Sequence, residues 1–142
     1  MWFVVFEGVD GSGKSTLERE VARARNFEDL HVHRSTPSQY AYGKLYGRSV
    51  DKLALYQFEL GVLTGCSVLL VVLTCAPKVL VERRPEIKLS ELLEAQVLIA
   101  EYALKRCQWR NQLWLSTDEI SLQECAEQVV ARLRGGTVSE SI

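Results

Sequence analysis

Residues 2 to 16 read WFVVFEGVDGSGKST, and no other stretch restricts the fold of this chain as strongly. Trp2 to Phe6 is an unbroken run of aromatic and β-branched residues, the pattern of a strand covered on both faces of a parallel sheet. After the glycines, Ser15 to Asn26 carries helix formers, with Leu17, Val21 and Ala24 near helical spacing. Strand, glycine loop and helix in that order are what a phosphate loop requires, and Gly8, Gly13, Lys14 and Ser15 satisfy its GxxxxGK[ST] spacing. Glycines adopt backbone conformations that side chains block, so several N–H groups can converge on phosphate oxygens. The start of the next helix adds unpaired N–H groups and a partial positive charge. Gly8, Gly11, Ser12 and Gly13 are therefore expected to hold the phosphates of a nucleoside triphosphate. Lys14 would neutralise the β- and γ-phosphates, Ser15 would ligate Mg²⁺, and Thr16 would reach the α-phosphate.

The rest of the chain keeps alternating. Leu30 to His33 reads as a short strand, and RSTPSQYAYGK as a loop with turn chemistry at Pro37 and Gly43. SVDKLALYQFELGVL looks helical, with Ser49 as N-cap and a stop at Thr64 and Gly65. CSVLLVVLTC is a second strongly apolar strand, closed by Ala76 and Pro77 and followed by the short helix KVLVERR. Ser90 to Cys107 forms a long amphipathic helix and Gln112 to Leu115 a last strand. The final helix opens with Ser121 and Glu124 in capping-box spacing and ends at Gly135 and Gly136. This order predicts a three-layer α/β domain of P-loop NTPase type, with a mostly parallel central sheet flanked by helices. Residues 1–136 are expected to form that single domain, with 137–142 as a frayed tail.

Composition narrows the class of partner. The 142 residues are 47% hydrophobic and 25% charged, the balance of one globular domain, and the net charge of −1 gives no whole-chain attraction to nucleic acid or a membrane surface. The longest apolar stretch, around Val68 to Leu73, falls far short of the ~20 residues that span a bilayer. Cys66, Cys75, Cys107 and Cys125 lie far apart without CxxC spacing, which points to reduced thiols in a cytoplasmic protein. The apolar N-terminus lacks a basic n-region and reads as a strand.

The string FEGVDGSGKST resembles the thymidylate kinases, a family of P-loop nucleoside monophosphate kinases, and the guanine-reading NKxD motif of GTPases is absent. HVHRST is similar to that family's second strand, LTCAPKVLVERR to its strand followed by a proline and a VALERR-like helix, and NQLWLSTDEISLQE to the last strand and the loop near the adenine. The resemblance implies ATP- and Mg²⁺-dependent phosphorylation of a deoxynucleoside monophosphate, dTMP to dTDP. It implies that Asp10 sits beside the acceptor, where it accepts a hydrogen bond from the sugar 3′-hydroxyl. Arg34 then matches the arginine that contacts the acceptor monophosphate. Arg83 and Arg84 are the nearest lid cations, with a solvated helix end as their alternative. Tyr56 and Phe58 lie on the helix that stacks an aromatic ring on the acceptor base, with core packing as the alternative for both. Relatives commonly pair as dimers, and the apolar face of KLALYQFELGVL would suit such an interface.

The chain also departs from that pattern. The family carries a further strand ending in Asp-Arg-Tyr, then a helix, before the LTCAP-like strand; here no Asp, Glu or Arg occurs between Glu59 and Glu82. LALYQFELGV lacks the phosphate-binding arginine of the matching helix, and Arg84 is followed almost at once by the next helix. Two explanations fit: a reduced kinase-like chain, or CSVLL and VVLTC as remnants of two strands brought together. Two other functions stay open beside the leading one. One is nucleotide binding without transfer, and the other is phosphorylation of a modified pyrimidine nucleotide or a base within DNA. His31 and His33, two apart on a strand, share one face but lack further metal ligands. Tyr40 and Tyr42 would border the acceptor pocket, Lys44 and Arg48 are solvated or phosphate-contacting, and Trp109 and Trp114 are packing residues.

Overall fold

A computed structural model describes residues 1–135; the expected tail at 137–142 lies outside the described residues. In chain order the elements are β1 (Trp2–Glu7), α1 (Lys14–Ala24), β2 (Leu30–His33), α2 (Thr36–Leu45), α3 (Lys52–Leu63), β3 (Ser67–Thr74), α4 (Pro77–Arg83), α5 (Leu89–Lys105), β4 (Gln112–Ser116) and α6 (Leu122–Gly135). The four strands form one sheet in the order β2-β1-β3-β4, and each neighbouring pair is parallel. This is the α/β architecture expected of a P-loop NTPase. All strands end on the same edge of the sheet, which is where open α/β sheets collect their ligands.

Side chains alternate across the sheet and separate two cores. Val4, Phe6, Leu69, Val71 and Leu73 pack with Leu17 and Val21 of α1 and with Cys125 and Val129 of α6. Val5, Leu70 and Val72 pack on the other side with Tyr40 of α2, Leu55 of α3, Leu80 of α4, and Leu92, Ile99 and Tyr102 of α5. Val68 to Leu73 are each at most 5% exposed, so the six apolar side chains contribute about 1.5–3 kcal/mol apiece.

β3 is a continuous eight-residue strand, paired over Ser67 to Val72 with β1 on one side and over Leu70 to Thr74 with β4 on the other. The sheet keeps both apolar strands inside, with β2 and β4 as its edges, and two expectations need correction. The stretch taken as a loop around Pro37 and Gly43 is largely the helix α2. Pro37 stands in the first turn, where its missing N–H costs nothing, and the cap comes from another element. The Glu7 carboxylate accepts the Ser35 N–H at 2.6 Å and the Ser38 N–H at 3.1 Å. Gly43 serves close packing, since a Cβ there would meet Val50 Cγ2 at 2.5 Å. The N-cap of α3 is Asp51, which accepts from Ala54 N at 3.0 Å, and not Ser49.

Candidate functional site

β1 delivers the glycine loop to the C-terminal edge of the sheet. Gly8, Gly11 and Gly13 have φ of +153°, +85° and +101°, the conformations for which glycine is needed. Gly13 precedes α1 without any side-chain cap, so the first-turn amides of α1 are left for a ligand. Ser12 is fully buried, close enough to Gly8 that a Cβ on Gly8 would meet its Oγ at 2.6 Å. Lys14 folds back and donates from Nζ to the Gly8 carbonyl at 2.6 Å and the Val9 carbonyl at 3.1 Å. Burial, and next the neighbouring Arg34 guanidinium, push its pKa down to about 8. The exposed Ser15 and Thr16 hydroxyls stand at the mouth.

Three arginines reach this loop from distant segments. Arg34, just beyond β2, forms an ion pair with Asp10, and its guanidinium lies over the Tyr42 ring at 5.3 Å. Its own φ of +58° is unusual for a non-glycine residue. Arg83, at the end of α4, donates to the Gly11 carbonyl at 2.9 Å and to Thr117 Oγ1 at 3.3 Å, tying the glycine loop to the segment after β4. Arg84 pairs with Glu86 at 2.6 Å and lies so near Gly11 that a Cβ there would meet its Cγ at 2.9 Å. A side chain at Gly11 is therefore excluded by space as well as by backbone conformation.

These groups line a single cleft of about 600 Å³, within the size range of small-molecule sites. Asp10, Gly11, Gly13, Lys14, Ser15, Thr16, Arg34, Arg83 and Arg84 all border it. Asp10 is the one carboxylate lining it among the described residues, set against four cationic side chains. An exposed Ser15 hydroxyl at a helix N-terminus fits Mg²⁺, with phosphate oxygens and water filling the remaining positions.

Tyr56 and Phe58 are not brought to the cleft. Both are about half exposed on α3, with the Phe58 ring edge-on to Trp109 at 6.2 Å. Tyr40 is buried against Tyr102, and Lys44 and Arg48 lie over the rings of Tyr40 and Tyr46. His31 and His33 both face Glu18 of α1, at 2.9 and 3.2 Å. Sequence reasoning missed His33 and Cys125 as lining residues, whereas Thr117, Ile120, Ser121 and Leu122 fall in NQLWLSTDEISLQE, the stretch likened to the loop near an adenine. A helix start that follows a strand on the same sheet edge as the glycine loop is the signal that was available.

The all-parallel sheet, its flanking helices and the glycine loop between β1 and α1 define an α/β fold of the P-loop type. Among solved structures, the chain is similar to deoxyadenosine kinase from M. mycoides with bound dATP, at 13% identity and a TM-score of 0.62, over 95% of this chain and 100% of that one. A structure of the same enzyme with the products dCMP and a flexible dCDP bound matches at 12% identity and a TM-score of 0.59, over 100% of both chains. At this identity the likeness is one of fold. The neighbours are deoxyadenosine kinases, whereas the sequence resemblance pointed to thymidylate kinases. No protein-family profile and no curated protein matches the chain. No helix among the described residues is long and apolar enough to cross a membrane.

Proposed function

We propose that this chain is an ATP-dependent kinase that passes the γ-phosphoryl group to a small nucleotide acceptor, with dTMP to dTDP as the leading reaction. The observation that carries the reading is the convergence of Lys14, Arg34, Arg83 and Arg84 with Asp10 around one glycine loop. Phosphoryl transfer needs little covalent help from protein and much positioned positive charge. In this reading Lys14 leaves the Gly8 and Val9 carbonyls for the β- and γ-phosphates, while Gly8, Gly11, Ser12, Gly13 and Thr16 shape the donor site. Ser15 would hold Mg²⁺, which would supply screening of the phosphate charge. Asp10 and Arg34 face the acceptor, and Arg83 and Arg84 supply cations from the α4 end.

The fold neighbours are named for a deoxynucleoside, so the acceptor panel includes deoxyadenosine and thymidine beside the four deoxynucleoside monophosphates, a modified pyrimidine nucleotide and single-stranded DNA. A coupled assay showing no ADP above background with any of them sinks the kinase reading. One observation favours a second reading, nucleotide binding without transfer: Asp10, the single carboxylate lining the cleft among the described residues, is already engaged by Arg34. ATP binding that is lost in Lys14→Ala, with no turnover in the parent protein, selects it.

The reading includes a cytoplasmic homodimer. Leu53, Tyr56, Leu60 and Leu63 recur along α3 at 38–63% exposure, the stripe of a helix that lacks its packing partner. Sedimentation at micromolar concentration that finds only monomer removes this part.

A further inference from the structure

Among the described residues the cleft is lined by one carboxylate, yet another is buried immediately before the glycine loop. Glu7, the last residue of β1, is 0% exposed in an otherwise apolar strand. A buried carboxylate is costly unless hydrogen bonds compensate it. Here three donors converge: the Ser35 N–H, the Ser38 N–H and the Ser38 hydroxyl. All three belong to the segment immediately after Arg34, at the start of α2. Arg34 itself has the strained φ of +58°, and its N–H donates to the carbonyl of Phe6, the residue before Glu7, at 3.1 Å. Strained backbone persists only where surrounding bonds over-determine it. Two successive residues of β1 therefore clamp two successive residues beyond β2, and the glycine loop starts at the very next position.

We propose that Glu7 is a positioning residue that fixes Arg34 against the phosphate loop, so that acceptor recognition is built onto the strand that carries the donor site. The inference rests on the reading of Arg34 as the acceptor-contacting arginine. Burial holds the Glu7 carboxyl above the usual carboxylate range, while its hydrogen bonds from Ser35 and Ser38 oppose that shift. Its side chain touches neither nucleotide subsite; its effect passes through the backbone of Arg34 and Ser35.

Glu7→Gln tests this, because an amide offers one acceptor oxygen to donors that now meet two. Dissociation constants for ATP and for dTMP are measured by calorimetry and KM values by coupled assay, in the parent protein, Glu7→Gln, Arg34→Ala and the double variant. Acceptor KM and the dTMP dissociation constant are expected to rise about tenfold or more in Glu7→Gln, with ATP affinity held within about twofold. On the Arg34→Ala background Glu7→Gln is expected to add less than about twofold, since both act through one group. Equal losses for ATP and acceptor, additive effects, or an unchanged acceptor constant overturn the proposal. If Glu7→Gln does not fold, Ser38→Ala removes one of the three bonds and is expected to move the acceptor constant in the same direction by about threefold. A parent protein that neither turns over nor binds any acceptor defeats the kinase reading, and amide exchange then decides on Glu7. The Ser35 and Ser38 amides are expected to exchange about tenfold faster in Glu7→Gln with Leu70 and Val71 unchanged; unchanged Ser35 exchange overturns the proposal.

Discussion

The two halves of the cleft are built in opposite ways. The proposed donor half comes from one continuous stretch, Gly8 to Thr16, whose backbone conformation follows from its glycines and whose cation follows directly in sequence. The proposed acceptor half is assembled from the end of β2, the first turn of α2 and the end of α4, held by an ion pair to Asp10, a buried carboxylate at Glu7 and bonds from Arg83 to the loop. A local site survives drift elsewhere in the chain, while an assembled one depends on several distant contacts at once.

That contrast can be broken most sharply at Lys14. Lys14→Met is expected to lower kcat/KM on the order of 10³-fold and to weaken ATP as well as turnover, because it removes the charge that faces the transferred phosphates. Equilibrium dialysis with ATP alone checks the binding half; retained affinity in the variant would falsify the assignment. Arg34→Ala is expected to raise acceptor KM by roughly 30- to 100-fold, the loss typical of a charged partner in a hydrogen-bonded site, with ATP binding changed little. If both ligands weaken together, the division into two halves fails.

The third test uses pH. The Lys14 pKa is lowered to about 8, so below that value the ammonium is intact and above it the empty protein loses the proton. Bound phosphate favours the ammonium, so ATP affinity is expected to be level up to about pH 8 and then to fall by up to about tenfold per pH unit. Titrations of ATP against the parent protein read this directly, and a flat profile through pH 9.5, about 1.5 units above that pKa, contradicts it. The smallest effect is expected at Phe58, whose ring packs edge-on to Trp109 at some distance from the cleft: Phe58→Ala is expected to change acceptor KM less than about twofold. A larger rise would return α3 to the acceptor site.

These comparisons also separate what was legible early. The strand, loop and helix around Lys14 follow from local chemistry, because glycine freedom and helix polarity act over a few residues. Asp10 and Arg34 were legible as candidates from the resemblance of GVDGSGKST and HVHRST, and the structure pairs them. α2 was hidden because its cap is not in its own sequence: a carboxylate from β1, some thirty residues earlier, satisfies the amides that a local side chain would otherwise have to serve. Pro37 and Gly43 therefore looked like turn residues. Tyr56 and Phe58 stood on the expected helix, but which way that helix faces depends on Glu59. Its buried carboxylate accepts from Tyr102 at 2.5 Å and from Gln108 N at 2.9 Å, turning Phe58 toward Trp109.

Glu7 shows the boundary most directly. In sequence it is only the polar end of an apolar run, and a carboxylate there is a warning that a partner must exist. By itself the sequence determined an alternating α/β chain and a phosphate loop with its lysine and hydroxyl, since these depend on backbone freedom and short-range periodicity. Tertiary structure alone decided where the arginines converge, that α2 is a helix, and that Glu7 ties β1 to Ser35 and Ser38, because hydrogen bonds between segments far apart in the chain leave no periodic trace in it.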